Sequence, residues 1–373
     1  MIGLPEGDRV PLVLLAAGGT GGHLFAAEAL AEALARRSVV TALATDDRAE
    51  RYGRAFPARD IHVITSATVR GRDPLSLMRT AAMLGTGTVQ SLRLIMRMRP
   101  SAVVGFGGYP TIPPVLAATL RGIPTVIHEQ NAVMGRANRF LAPRVDAIAT
   151  SFAGVLDRAP KLSAKATRIG NPVRPAVIAA SAIPYVAPEA AGAIRLLIFG
   201  GSQGARIMAD IVPAAVERLA HELQARLALV QQAREEDLAR VTEVYARANV
   251  MAEVAPFFAD LPVRIAASHI VVARAGASTV AELAAIGRPA ILVPLPHAID
   301  QDQFANAGVL ETAGGALRLR QDDFTPDRLA AEISALASAP QKLVAMAAAA
   351  RSQGAIDAAE RLADLVLGAA ARA

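Results

Sequence analysis

Apolar runs of about five residues alternate with stretches of helical period along most of the chain. "VPLVLLA", "VVTALAT", "SAVVGFG", "IPTVIHE" and "AIATSF" lie in the first half, and "IRLLIFG", "ARLALVQ", "HIVVARA" and "PAILVPL" in the second. Short, nearly unbroken apolar strands separated by helices predict parallel sheets covered on both faces. The longest uncharged stretch, residues 100–120, reads as strand, glycine loop and helix start. Its Gly105, Gly107, Gly108, Pro110, Pro113 and Pro114 would interrupt any membrane-spanning helix. Near the amino terminus an apolar run follows Glu6, Asp8 and Arg9 and breaks at Gly18, a poor pattern for a signal peptide. The expected setting is the cytoplasm.

One device occurs twice. "VLLAAGGTGGHLFAAEALAEALA" and "RLLIFGGSQGARIMADIVPAAVERLA" both read as strand, glycine turn and helix. The expected class is therefore α/β, with two doubly wound Rossmann-like domains joined by a Pro/Ala-rich linker over residues 172–193. Residues 1–172 form the first domain and 173–354 the second. The last helix, about residues 355–373, is expected to cross back to the first.

A glycine turn opening a helix gathers backbone N–H groups and the positive dipole end at one point, which suits a phosphate. The dinucleotide fingerprint fails here, since counting from Gly19 gives Gly21 and then Leu24, and no Lys-Ser/Thr completes a P-loop. Ligand site and tight strand-to-helix packing both remain open for this turn. His23, in the first helical turn, reads as a packing histidine, a proton acceptor or a donor to phosphate. Two more loops follow predicted strands: "GFGGYP", with Gly107, Gly108 and Tyr109, and "HEQN", with His128, Glu129, Gln130 and Asn131. Three such loops at strand carboxyl ends describe one ligand-binding wall.

In the second half, Ser202 and Gln203 open a helix after "FGG". Ser278 and Thr279 suit a helix start, with Glu282 spaced from Thr279 either for a capping box or for gripping ribose hydroxyls. Asp300 and Asp302 could hold a divalent metal or face a sugar.

Composition narrows the field. The chain has 373 residues, 53% of them hydrophobic and 19% charged, which indicates a folded protein. The absence of cysteine removes disulfides and thiolate chemistry. A net charge of +6 favours anionic partners, while 4% aromatic content and no recognition module argue against nucleic acid. The segment from Thr68 to Pro100 carries Arg70, Arg72, Arg79, Arg93, Arg97 and Arg99 against Asp73 alone. Leu75, Met78 and Leu84, flanked by Arg72 and Arg79, are expected to meet an anionic membrane surface. For residues 92–98, packing on the protein's own sheet is the competing reading.

Taken in order, "GGTGGH", "GFGGYP", "HEQNAVMGRAN", "GNPVR", "GGSQGAR", "GASTVAE" and "PHAIDQDQFANA" resemble the MurG family of peptidoglycan glycosyltransferases, over residues 18–307. The resemblance implies a GT-B fold whose two domains face each other across an active-site cleft. It implies a metal-independent, inverting transfer of GlcNAc from UDP-GlcNAc to the C4 hydroxyl of MurNAc in lipid I, undecaprenyl-pyrophosphoryl-MurNAc-pentapeptide. The product would be lipid II, made by a peripheral enzyme on the cytoplasmic face of the inner membrane without a cofactor. It further implies donor contacts from Thr20, Gly21, Gly22, Asn131, Arg174, Ser202, Gln203, the Phe258 backbone, Ala277, Ser278, Thr279 and Val280. Glu282 would hold the ribose and Gln303 the GlcNAc hydroxyls, which moves Asp300 and Asp302 towards sugar recognition. Gly107, Gly108, Tyr109, His128, Glu129 and Gln130 would form acceptor-side loops. His23 is implied either as the base or as a contact to the acceptor's pyrophosphate. This sequence departs from the family at Phe258, usually aliphatic, and at Asp302, often an amide or histidine. A UDP-sugar epimerase or hydrolase, and a membrane-peripheral nucleotide-binding scaffold, are the alternatives.

Overall fold

The computed structural model describes residues 11–18, 21–47, 56–67, 73–201, 204–296 and 299–372, without the side chains of residues 21, 75 and 299. Thr20, Arg72, Ser202 and Gln203 lie outside the described residues, as does the side chain of Leu75. The chain divides into two compact units, residues 1–174 with 357–373, and residues 175–356.

The first unit is built on β1 (Leu12–Ala16), β2 (Val40–Thr45), β3 (Asp60–Val63), β4 (Ala102–Gly105), β5 (Thr125–Glu129), β6 (Ala147–Thr150) and β7 (Ala166–Arg168). All neighbours pair in parallel in the order β3-β2-β1-β4-β5-β6-β7. Alternate residues serve opposite faces. Val13 and Leu15 pack with Leu30, Leu34, Leu362 and Val366, while Leu14 and Ala16 pack with Ile95, Ile112 and Val115. A strand buried on both sides has no polar face to show, so its sequence reads as a continuous apolar run. The last helix, Ala358–Ala370, belongs to this unit and lies on the helix Gly21–Arg36. Arg36 and Arg37 bind Glu360 at 2.6 and 2.8 Å and Arg37 binds Asp364 at 2.6 Å. These pairs are solvent-exposed and contribute about 0.2–1 kcal/mol each, so the buried Leu362, Ala363 and Val366 dominate the attachment.

The second unit repeats the plan with β8 (Ile194–Phe199), β9 (Leu227–Gln232), β10 (Met251–Ala255), β11 (Ile270–Ala273), β12 (Ala290–Leu292) and β13 (Ala316–Arg318), in the order β10-β9-β8-β11-β12-β13. In both sheets the first strand is internal and the chain reverses its direction of travel there. The crevices beside β1/β4 and β8/β11 are therefore topological switch points.

Two expectations change. The linker of residues 172–193 contains a helix, Pro175–Ser181, packed on the helices Leu261–Ala267 and Ala277–Ile286 of the second unit. The buried Arg288 guanidinium fastens the following turn by donating to the carbonyls of Ile183 (3.0 Å), Ala266 (2.6 Å) and Ile286 (2.8 Å). The division consequently falls after Arg174.

The arginine-rich segment is one helix, Pro74–Met98, with Asp73 accepting from the Ser76 N–H at 2.8 Å and Pro74 in the first turn. Its inward face carries Thr80, Gly87, Ser91 and Ile95. Gly87 is required there, since a Cβ would overlap the Thr65 carbonyl oxygen. Leu84 lies on this same face and packs against the core, so it is not a membrane-facing residue. Leu92, Leu94 and Met98 pack inward likewise. Met78 (70% exposed), Val89 and Met96 point outward, as do Arg79, Arg93 and Arg97. Among the described residues no single helix is long and apolar enough to cross a bilayer.

Candidate active site

In the first unit the carboxyl ends of β1 and β4 lie side by side, Ala16 opposite Gly105. The "GFGGYP" loop folds back over them. The Phe106 N–H donates to the Ala16 carbonyl at 2.9 Å, and the Thr111 hydroxyl lies 2.6 Å from the Gly107 carbonyl and 3.1 Å from that of Ala16. Gly107 and Gly108 adopt φ of +88° and +74°, which only glycine takes without strain. A Cβ on Gly107 would come 3.3 Å from Nε2 of His23, so this loop closes directly over the His23 ring. Tyr109 is partly buried against the core.

His23 is the third residue of the helix Gly21–Arg36. Burial lowers its pKa to about 4, with a hydrogen bond to the Gly18 backbone acting in the opposite direction. The imidazole is therefore neutral at pH 7. A neutral ring that donates from one nitrogen to a carbonyl presents an acceptor lone pair at the other.

In the "HEQN" loop the side chains of His128, Glu129 and Gln130 are 0%, 2% and 4% exposed and work inside the fold. His128 Nε2 lies 3.1 Å from the Gly170 carbonyl, and burial lowers its pKa to about 4. The Glu129 carboxylate receives the N–H of Asn131 (2.9 Å) and Gly135 (2.9 Å) and the side-chain amides of Asn131 (3.2 Å) and Asn138 (2.8 Å). Burial raises its pKa, and these four bonds oppose the rise. Glu129 thus shapes the loop and orients Asn131, which remains partly exposed.

Arg174 closes the unit, its guanidinium carbon 4.2 Å from the ring centre of Phe25 on the first helix. Burial and Glu32 raise the pKa of nearby Glu28, while Arg174 pulls it down.

In the second unit the helix Ala277–Ile286 begins after Gly276 with no side-chain cap. Residues 276–279 are partly exposed, whereas Val280 and Glu282 are buried. The capping box does not form, because Thr279 is the third residue inside the helix and not its cap. Two non-glycine residues before the next helix, Asp300 and Gln301, adopt left-handed φ of 61° and 53°, a strain of about 1–3 kcal/mol each that is common at binding sites. Gln303 is partly committed to scaffolding: its Oε1 accepts the N–H of Leu295 (3.1 Å) and Ala275 (3.3 Å), which ties the end of β12 to the approach of the uncapped helix. Asp302 accepts the Gln303 N–H at 2.8 Å, and burial and Asp300 raise its pKa. Among the described residues no group of three or more His, Asp or Glu is arranged to hold a metal. Phe258 is buried with Arg264 stacked on its ring at 4.3 Å, leaving only its backbone to meet a ligand.

Sequence reading missed the residues that hold these loops. Asn306, fully buried, donates to the Ala275 carbonyl at 3.2 Å, and Arg274 binds the carbonyls of Val293 and Pro294, both at 3.1 Å. Gln232 bonds the "GGSQG" turn. The available signal was a polar residue at the carboxyl end of an apolar strand, as in "LVQQ" and "VVARA".

Comparison with known proteins agrees with this layout. The N-terminal domain model of glycosyltransferase family 28 matches residues 13–150, and the C-terminal domain model of the same family matches residues 195–362. A curated relative from Rhodopseudomonas palustris (strain BisB18), a UDP-N-acetylglucosamine--N-acetylmuramyl-(pentapeptide) pyrophosphoryl-undecaprenol N-acetylglucosamine transferase, is 63% identical over 360 residues, 96% of each chain. A protein of the same description from Nitrobacter hamburgensis is 63% identical over 357 residues, again 96% of each. The crystal structure of Acinetobacter baumannii MurG superposes with a TM-score of 0.79 at 28% identity, covering 96% of this chain and 99% of that one. A UDP-GlcNAc 2-epimerase from Neisseria meningitidis reaches 0.69 at 13% identity over 96% and 100% of the chains, a likeness of fold alone. With both family domains in sequence order and relatives this similar along almost the entire chain, the protein belongs to glycosyltransferase family 28.

Proposed function

We infer that the protein transfers N-acetylglucosamine from UDP-N-acetylglucosamine to lipid I, N-acetylmuramyl-(pentapeptide) pyrophosphoryl-undecaprenol, and so makes lipid II. The observation that carries this reading is the close likeness, along nearly the full length, to transferases described by this reaction. The local geometry supports a division of labour. The uncapped N–H groups at residues 277–279 take the UDP diphosphate, where the helix dipole favours negative charge. Glu282, one turn further on, takes the ribose hydroxyls. Asn131, oriented by Glu129, meets the donor sugar. The Phe258 backbone meets uracil, and the remaining amide group of Gln303 reads the GlcNAc hydroxyls.

As the MurNAc C4 oxygen bonds to the anomeric carbon, the bond from that carbon to the UDP oxygen breaks and its electron pair leaves on the diphosphate. The hydroxyl proton passes to His23. A ring that is neutral at pH 7 can accept that proton; a hydrogen bond to the acceptor's pyrophosphate is the second reading for His23. Arg174, steadied on Phe25, and the uncapped helix start stabilise the departing diphosphate. These supply the positive potential usually asked of a metal, so the reaction is read as independent of divalent cations. The outward face of the helix Pro74–Met98, with Met78, Val89 and Met96 beside Arg79, Arg93 and Arg97, is read as the surface that meets anionic lipid at the cytoplasmic face of the inner membrane.

Purified protein given UDP-GlcNAc and a soluble lipid I analogue in EDTA is expected to form the disaccharide. Turnover of UDP-GlcNAc without acceptor would overturn the transferase reading. A strict need for magnesium or manganese would overturn the metal-free one.

A further inference from the structure

Phe258 lies in the loop between β10 and the helix Leu261–Ala267. Its ring is buried, while its neighbours Phe257 and Ala259 are exposed. Arg264, on that helix, covers the ring with its guanidinium carbon 4.3 Å from the ring centre. Two carboxylates hold the same guanidinium: Nη1 donates to Glu253 of β10 at 2.6 Å, and Nε donates to Asp260, just before the helix, at 2.7 Å. One side chain therefore joins the strand, the loop and the helix around the Phe258 ring. The backbone of Phe258 is left open. Among the described residues, neither its N–H nor its carbonyl hydrogen-bonds within the chain. One donor and one acceptor thus stand beside a ring that is fixed in place.

We propose that Arg264 is a positioning residue for the nucleobase, holding the Phe258 ring so that the open N–H and carbonyl of that residue meet the imide edge of uracil. The proposal rests on the donor-site reading above and deepens it. Uracil presents an N–H flanked by carbonyls, the complement of one backbone acceptor and one donor. A cation over an aromatic face is attracted by the ring quadrupole, more strongly where water is partly excluded, as at Arg264, whose side chain is 22% exposed. Releasing the ring lets the loop populate arrangements that miss the base, and the apparent affinity falls with the fraction still competent. Every ligand that carries the base then loses the same factor, whatever its phosphates. Glu253 and Asp260 are both more than half exposed, so losing their partner costs the fold little.

The test is a double-mutant cycle on Arg264→Ala and Phe258→Ile, read by calorimetric titration of UDP and of uridine, with kcat and both KM values measured in parallel. Arg264→Ala should weaken UDP and uridine alike, by about three- to tenfold, the range that a cation over a partly covered ring supplies. The donor KM should rise by the same factor while kcat and the acceptor KM stay near their wild-type values. Isoleucine has no aromatic face to attract a cation, so in the Phe258→Ile background Arg264→Ala should cost less than about twofold. A loss as large in that background as in wild type, a loss for UDP without uridine, or no loss in Arg264→Ala would overturn the proposal. Arg264→Gln and Phe258→Leu take their places under the same criteria should either variant not fold. Amide exchange on the wild type separates the proposal from the reading beneath it. UDP and uridine should both slow exchange at Phe258. Absence of slowing would refute the base contact and the proposal with it, whereas slowing combined with an uncoupled cycle would refute the positioning role alone. A wild type that binds UDP but transfers no GlcNAc would refute the function above and leave the Arg264 result standing. Failure of the wild type to bind UDP would refute the donor site and the proposal together.

Discussion

The two units share a strand order and a glycine turn after the first strand, yet they present opposite chemistry at their switch points. In the first unit, His128, Glu129, Gln130 and Asn138 are buried, with Glu129 holding four donors and both His23 and His128 kept neutral by their surroundings. In the second, a helix start is left partly exposed and uncapped beside two residues in left-handed conformation. Topology decides where a ligand can sit, whereas local burial and capping decide what charge it meets. The first unit suits proton transfer from a hydroxyl, and the second suits an anion.

The contrast can be broken or sharpened in four ways. The largest effect is expected at His23. His23→Ala should lower kcat by about 10²–10⁴-fold, the usual worth of a general base, while donor affinity stays near wild type. A drop of less than about threefold would remove His23 from catalysis.

Next is acid stability. The native pKa of His128, about 4, lies below the 6.5 of an unperturbed histidine, so the unfolded chain takes up the proton first. Its contribution is complete above pH 6.5 and is lost as the pH falls towards 4, by at most about 3 kcal/mol. Urea unfolding at pH 7, 5.5 and 4.5 should show this slope, and His128→Asn should flatten it. An unchanged slope in the variant would assign the acid loss elsewhere.

Third, Glu282→Ala should weaken donor binding by roughly 10–100-fold, as expected for charge-assisted hydrogen bonds to hydroxyls, without a matching fall in melting temperature. Normal affinity in the folded variant would deny it the ribose.

The smallest effect carries a revealing sign. Gly276→Asp supplies the missing cap, and the space at that Cβ is open apart from Thr279 Oγ1 at 3.9 Å. Stability should rise by a few tenths of a kcal/mol while donor KM increases, because the new carboxylate occupies and repels the anion site. A lower donor KM would mean that the diphosphate binds elsewhere.

Much of the molecule was legible beforehand. Unbroken apolar runs can only belong to strands covered on both sides, so the parallel sheets, the repeated strand-turn-helix device and the two-unit plan followed from pattern alone. Glycine turns at strand ends pointed to the loops that matter, because a residue without Cβ is needed where backbone crowds backbone, as at Gly87 and Gly200. Which way a polar side chain in such a loop points was not legible. Glu129 and Asn131 are two residues apart, yet one is sealed under four donors and the other remains partly exposed. Thr279 and Glu282 have capping-box spacing, yet the cap position falls three residues earlier, at Gly276, and Thr279 lies inside the helix. Leu84 belongs to an arginine-rich amphipathic stretch, yet the phase of one continuous helix turns it inward. Composition and period are local properties of the chain and settle which elements form. Side-chain direction, burial and proton affinity depend on groups brought together from distant strands, and only the tertiary structure assembles those.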